Sequence, residues 1–514
     1  MKPQQLSIGS AAVGRAFRSH VHCARANLPT LAAIAVALAS SVVLTLGGCA
    51  SSAGIAPSAH PIAPAAVGLD APATSVTTSA TPALAPDWWH AFGDTGLDDL
   101  IARALAGNPS LKVAQARLER ARAMVAGAQG ADGPQVNGSL DATRQRFSAT
   151  SIYPPPLGGG IYTLGTAQLG ASWEFDFFGR NRAAIEAAVG AQRAAQADLQ
   201  AARIVLASNV ARTYVRLGRL FAQRDVADRS LKQRDEILGL IRQRVQGGLD
   251  STVELRQGEG ALPESRQQIE LLDEQIALAR HALAALTAQA PNALDALVVP
   301  LTSVQAVPLP ATVPADLLGR RADISAARWR IEAATSDMKS AKAQFYPNIN
   351  LSAFVGLSSI GLDRLVKSAS EQYGAGPAIR LPIFDSGRLR ANLRGKTADL
   401  DAAIESYNGA VLEAVHEVAD RISSVRAVAR QQVQQAQAQA AAESAYDLAT
   451  QRYKAGLSTY LTVLNAEASV LNQRRLAVDL QARALDAQIG LARALGGGYT
   501  ADPEPAARVA RAGR

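Results

Sequence analysis

Residues able to do chemistry are sparse in this 514-residue chain. The histidines that follow an N-terminal leader, His60, His90, His281 and His416, are scattered at no metal-ligand spacing. No nucleophile elbow, phosphate-binding glycine loop or cysteine pair is present, so the sequence reads as a protein without catalytic, metal or cofactor sites. What remains is a pair of matching turns, Arg244-Val-Gln-Gly-Gly-Leu-Asp-Ser and Arg452-Tyr-Lys-Ala-Gly-Leu-Ser-Thr. Gly248 and Gly456 stand at the same place in each, about 208 residues apart. Arg244 and Arg452 precede them by one turn and can bridge to neighbouring helices, with plain surface charge as the equally open alternative. Asp250 follows Gly248 where Ser458 follows Gly456. An aspartate there can cap the return helix.

The elements that must position these turns are two stretches without proline, Arg180 to Val245 and Arg388 to Tyr453, rich in Ala, Gln, Arg and Glu. Each is about 66 residues, which as an α-helix makes a rod of roughly 100 Å. Leu199, Leu206, Val210, Tyr214, Leu217 and Phe221 recur at spacings of seven, four and three, the apolar seam of a helix packed on other helices. Aromatic content is only 5%, so packing through small side chains fits better than a thick globular core. Pro263 is expected to kink or segment the first return helix.

Before each long helix the period changes to two. Val136 to Phe147 alternates, and after the loop Tyr153-Pro-Pro-Pro-Leu-Gly-Gly-Gly160 so do Leu169 to Phe177. In the second half Ile349 to Leu357 and Tyr373 to Phe384 repeat the pattern. Leu97 to Gln129, interrupted at Gly107-Asn108-Pro109, and Leu317 to Gln344 are the helices that precede each hairpin. The expected strands, about 10 to 13 residues, have the length that crosses a bilayer when tilted in a barrel. Four strands cannot close a barrel, and an open edge in lipid leaves backbone groups unpaired at several kcal/mol each. Membrane strands here therefore require an oligomer, a dimer of eight strands or a trimer of twelve.

The expected organisation is a leader over residues 1–48, a flexible Ala/Pro/Ser/Thr-rich tether over 49–86 and a first repeat over 87–290. A proline-rich connector over 291–314, a second repeat over 315–498 and a disordered tail over 499–514 complete it. Lys2, Arg15, Arg18 and Arg25 form a basic region without an acid, and an apolar run follows from Leu31 to Leu46. That run is too short for a transmembrane helix. Loss of the four basic leader residues lowers the formal charge from +8 to about +4, no footprint for nucleic acid. The sequence Leu46-Gly47-Gly48-Cys49 resembles the lipobox of bacterial lipoproteins. The resemblance implies cleavage before Cys49, a diacylglycerol thioether on its sulfur and an acylated new N-terminus. Ala50, in place of an aspartate, implies the outer membrane.

From Trp88 to about Leu495 the chain resembles the TolC-like outer-membrane factors of bacterial tripartite pumps. The nearest branch is the lipoprotein branch (NodT/OprM-like) that serves resistance-nodulation-division (RND) exporters. The motifs that carry the resemblance are Trp89-His-Ala-Phe-Gly-Asp, Asn108-Pro-Ser-Leu and Trp173-Glu-Phe-Asp-Phe-Phe-Gly-Arg. They continue with Val253-Glu-Leu-Arg-Gln-Gly-Glu-Gly, Leu318-Gly-Arg-Arg-Ala-Asp-Ile, Leu381-Pro-Ile-Phe-Asp-Ser-Gly-Arg and Tyr460-Leu-Thr-Val-Leu-Asn-Ala.

The resemblance implies a mainly α fold built from a duplicated unit of β-hairpin and long helical hairpin. Three chains would form a twelve-stranded outer-membrane barrel continued by a periplasmic α-helical barrel. Its implied partners are two further copies, a periplasmic adaptor, an inner-membrane RND pump and outer-membrane lipid, with no nucleic acid and no cofactor beyond the lipid on Cys49. The implied function is a passive exit duct for drugs or other small molecules. Gly247, Gly248, Leu249, Gly456, Leu457 and Ser458 are then the adaptor-docking tips, and Asp250, Arg244, Arg452, Ser458 and Tyr460 the candidate gate. Two departures from the family pattern stand out. Ala322 replaces a usual proline at an expected helix cap, and Ser458 replaces an aspartate found in some relatives. A duct for type I protein secretion and a structural or adhesive trimeric coiled-coil stalk are the competing readings.

Overall fold

The computed structural model describes residues 51–68, 84–150, 152–305, 317–385 and 387–500. The leader, Cys49, and the expected tail from residue 501 onward lie outside the described residues, as do 69–83 of the tether and 306–314 of the connector.

Helices α1 (Thr95–Gly107) and α2 (Pro109–Asp132) are separated by Asn108 alone, whose side chain accepts from the Ser110 N–H while Pro109 starts α2. Proline suits this first helical position because its missing N–H would be unpaired anyway. Strands β1 (Gln135–Arg146) and β2 (Ile161–Phe175) follow, then α3 (Arg180–Gln246) and α4 (Thr252–Leu286). The second half begins with one helical turn, Leu317–Arg320, and continues with α5 (Ala322–Ala343), β3 (Asn348–Ile360) and β4 (Glu371–Arg380). It ends with α6 (Arg388–Lys454) and α7 (Tyr460–Ala494). The two long helices are each 67 residues and the two return helices each 35. At 1.5 Å per residue the long ones span roughly 100 Å.

All four strands form one antiparallel sheet in the order β1-β2-β3-β4. Val136 pairs with Ala171, Leu169 with Val355 and Val355 with Tyr373, so one apolar face runs across the whole sheet. The other face carries Ser139, Gln168 and Gln372. β2 begins eight residues before the alternation expected from Leu169 (161 against 169), because Thr163, Gly165 and Ala167 give a weak hydrophobic signal. β4 stops at Arg380 rather than Phe384, two residues before Pro382, which has no N–H for a ladder. Among the described residues nothing pairs with the outer edges of β1 and β4.

The helices lie side by side. Next to the sheet the row is α2–α3–α5–α6, and further away it is α4–α3–α7–α6, with α3 and α6 shared by both. Small residues allow close approach: a Cβ on Gly190 of α3 would meet the Ala333 backbone of α5 at 3.0 Å. A larger core forms around the middle of α3, where Leu206, Val210, Tyr214 and Leu217 pack with Leu97 and Ile101 of α1, Leu283 of α4 and Ile489 of α7. Leu199 and Phe221 of the expected seam flank it half-buried.

Several expectations change. Ser51 to Gly68, expected within a free tether, runs along α6. The Ser58 and Ala59 N–H groups donate to Asp401 at 2.9 and 3.0 Å, the Ile62 N–H donates to Asn408 at 2.7 Å, and Arg390 donates to the Ser51 carbonyl. Ile62 and Val67 pack onto Ile324, Val411 and Ala414. The connector is packed over its first part, with Leu294, Val299, Leu301 and Val304 in the core around α1. At the start of the expected tail, the Tyr499 hydroxyl bonds Ser325 at 3.0 Å. Pro263 lies inside α4, which is one continuous helix. Ala322 is the first residue of α5 rather than its cap, a place taken by Arg321.

Candidate functional site

The two turns at the far ends of the long helices have nearly the same backbone. After α3, Gly248 has φ +70° and the Leu249 N–H reaches back to the Arg244 carbonyl at 2.8 Å. After α6, Gly456 has φ +75° and the Leu457 N–H reaches the Arg452 carbonyl at 2.8 Å. Both are left-handed glycine C-caps, in which a long backbone bond closes the last turn.

Their side chains differ. The Arg244 guanidinium grips Asp250 through two bonds, at 2.9 and 3.2 Å, and donates a third to the Tyr453 carbonyl of α6 at 3.1 Å. It also lies over the Tyr453 ring, 4.7 Å from the centroid. The Tyr453 hydroxyl closes the circuit by donating to Asp250. Arg244, Asp250 and Tyr453 thus tie the first hairpin to the second with little solvent access; the Asp250 side chain is 9% exposed and Tyr453 fully buried. Burial pushes the Asp250 carboxyl up, but the bonds from Arg244 and Tyr453 outweigh it and hold the group below the usual carboxylate range. Burial and the neighbouring Asp250 charge push the Tyr453 hydroxyl up, so it stays a donor.

Asp250 is not the helix cap. That role belongs to Ser251, whose side chain accepts from the Val253 N–H while Glu254 accepts from the Ser251 N–H, a capping box. The serine leaves Asp250 free to turn towards Arg244. At the second turn Thr459 caps α7 without a side-chain bond. Ser458, the counterpart of Asp250, has a buried hydroxyl without a hydrogen-bond partner among the described residues. Arg452, the counterpart of Arg244, is exposed and makes no ion pair among the described residues. With serine in place of aspartate it has no acid to reach. Tyr460 is buried against Tyr453, ring centroids 6.0 Å apart, and so supports the tie from behind.

Sequence reasoning missed Tyr453. It stands where the first repeat has Val245, so the place where the repeats cease to match was the available signal. Further up, α3 and α7 are joined by a ladder of polar pairs. Arg234 meets the buried Glu467 at 2.7 Å, Gln233 meets Arg474 at 3.1 Å, Gln223 meets Asp479 at 2.7 Å and Arg212 meets Asp486 at 2.8 Å. The turns themselves expose an apolar set at equivalent places: Leu249 69%, Val253 59%, Leu457 70% and Leu461 57%. Among the described residues no cluster of His, Cys, Asp or Glu could hold a metal ion.

The sequence matches the family Outer membrane efflux protein over residues 100–289 and 313–497. The chain belongs to the outer membrane efflux protein family. A relative, "Multidrug resistance outer membrane protein MdtQ" of Escherichia coli O6:H1, is 37% identical over 441 residues, covering 83% of this chain and 92% of that protein. Among solved structures, the outer membrane protein VceC of Vibrio cholerae is 37% identical with a TM-score of 0.75, covering 80% of this chain and 98% of that one. The open state of the MtrE outer membrane channel of Neisseria gonorrhoeae is 30% identical with a TM-score of 0.70, covering 79% and 90%. The chain is therefore an outer-membrane efflux channel subunit of TolC-like fold, built for passive transport rather than catalysis. An adhesive or structural stalk falls away as a reading of it.

Proposed function

We propose that three copies of this chain form a closed exit duct, a twelve-stranded barrel in the outer membrane continued by twelve helices through the periplasm. The observation that carries this is the sheet with one apolar face and two unpaired edges. Such edges are untenable in lipid, and β1 of one copy can pair with β4 of the next. The same side of the protomer offers α2 and α4 to the neighbour's α6, so a single rotation joins strands and helices together.

The duct is shut at its helical tips, where Arg244, Asp250 and Tyr453 hold the two hairpins of each copy together. A periplasmic adaptor docks on the exposed Leu249, Val253, Leu457 and Leu461, presented by Gly247, Gly248, Gly456 and Ser458, and loosens those ties. An RND pump in the inner membrane supplies the energy and drugs or other small molecules pass outward. Cys49 carries a lipid. The course of Ser51 to Gly68, starting at Arg390 in the first turn of α6, supports this by bringing Ser51, two residues after Cys49 in the sequence, beside the base of the sheet.

Single-channel recording of the purified mature protein tests the reading. Small currents that grow in Asp250→Ala and Tyr453→Phe are expected. A well-folded oligomer without conductance would overturn the duct, and currents identical in all three proteins would overturn the gate. Intact mass of the mature protein, against Cys49→Ser, tests the lipid.

A further inference from the structure

The two rims of the sheet are built from different residues. At the end joined to the helices, the apolar face closes with Trp173 and Phe175, ring centroids 4.6 Å apart, and beside them Phe177 and the stacked pair Phe178–Tyr346. This is the aromatic girdle expected where a barrel meets the interface. At the far end the same face carries no Trp or Phe. On β1 it runs Val136, Gly138, Leu140, Ala142 and then Arg144 and Arg146.

The register sets the depth of these arginines. Arg144 pairs with Thr163, which lies about twelve residues along β2 from Phe175. At about 3.3 Å per residue and a tilt near 40°, that is roughly 30 Å across the membrane, one hydrocarbon thickness. Arg146, paired with Ile161, reaches a further strand step into the headgroup layer. Both side chains are exposed, and among the described residues neither has a hydrogen-bond or ion-pair partner. A guanidinium on the lipid face at that depth is costly unless an anion meets it, and its planar fork matches phosphate. β1 is also the edge strand. When the ring closes, the outer end of the adjoining β4 brings Glu371 to the same face, with Arg364 and Lys367 in the loop before it.

The geometry points to a site for a phosphorylated glycolipid of the outer leaflet, lipid A in chemical class, held by Arg144 and Arg146 at the seam between copies. The inference rests on the barrel reading above. The phosphates are recognised by charge-assisted, two-pronged bonds, and the acyl chains lie on Leu140 and Leu169. The aromatic rim fixes the sheet to the inner leaflet, and this basic rim fixes it to the outer one.

Native mass spectrometry of the purified oligomer with bisphosphorylated lipid A, dephosphorylated lipid A and phosphatidylglycerol tests this. The wild type is expected to retain the bisphosphorylated form in preference to the other two. Each arginine lost should weaken retention by about tenfold, so Arg144→Gln with Arg146→Gln falls about a hundredfold. If that pair fails to assemble, Arg144→Lys with Arg146→Lys keeps the charge but loses the fork, and should fall in between. Equal retention of the dephosphorylated lipid, equal retention of phosphatidylglycerol, or undiminished binding in the variants each overturns the site. Loss of conductance in the same wild-type preparation would instead overturn the barrel.

Discussion

The first and second tips of this protein share a backbone and differ in what hangs from it. Both close a 67-residue helix with a left-handed glycine and send a 35-residue helix back. Yet only the first tip has the aspartate that its arginine can grip, and only the second has the tyrosine that completes the tie. Duplication supplied two equal frames, and divergence at Val245/Tyr453 and Asp250/Ser458 turned them into the two halves of one clasp. The clasp lies where the copies disagree, because whatever the fold alone requires is present in both.

Breaking the clasp from either side should have the largest effect. Arg244→Ala leaves Asp250 without its strongest partner and should cost about 2 kcal/mol at the tip, with a many-fold rise in single-channel conductance. Arg452→Ala, at the same backbone position, should leave conductance at the wild-type level. Equal effects would erase the distinction between the tips. Restoring the missing acid sharpens it: Ser458→Asp gives Arg452 the partner it lacks. The variant is expected to conduct less and to respond more weakly to Arg244→Ala, read in the same recordings.

The caps give a smaller contrast. Ser251→Ala removes a capping box and should destabilise the first return helix by about 1 kcal/mol, measured by thermal melting of the oligomer. Thr459→Ala removes no side-chain bond and should melt within experimental error of wild type. The smallest effect is that of mild acid. Asp250 is held below its ordinary value of 3.8, so its tie is at full strength above that value and is lost only as pH falls through the lower one. Conductance should therefore be flat from about pH 8 to pH 5 and rise only below the ordinary carboxylate range. A rise near pH 6 would point to another group.

Most of the architecture was legible because it is periodic. Seam residues such as Leu206 and Leu217, the alternation from Ile349 to Leu357 and the constant offset of the turns are local patterns, and local patterns survive without knowledge of the fold. What escaped depends on partners far away in sequence. Ser58 and Ile62 have nothing in their own neighbourhood to order them, and their anchors Asp401 and Asn408 come more than 340 residues later. Tyr453 looks like one more aromatic in a helix until α3 places Arg244 beneath its ring. Asp250 was open to both a cap and a gate because the competition with Ser251 is settled by a bond to a helix six residues back. The capping motif itself, Ser251 with Glu254, was there to be read.

The equality of α3 and α6 makes the protein a measuring stick. Two rods of 67 residues started from one sheet bring both turns to a common height, and a clasp joining them can form only there. A seven-residue insertion in one arm alone would lift its turn by about 10 Å and pull Arg244 out of reach of Tyr453. The same insertion in all four long and return helices would keep the clasp, since every turn would move together. It would also move the mouth about 10 Å deeper into the periplasm, and a partner of fixed size would then have to be shortened to match. The reach of the two turns is in this sense written into the chain twice, as a number of helical turns.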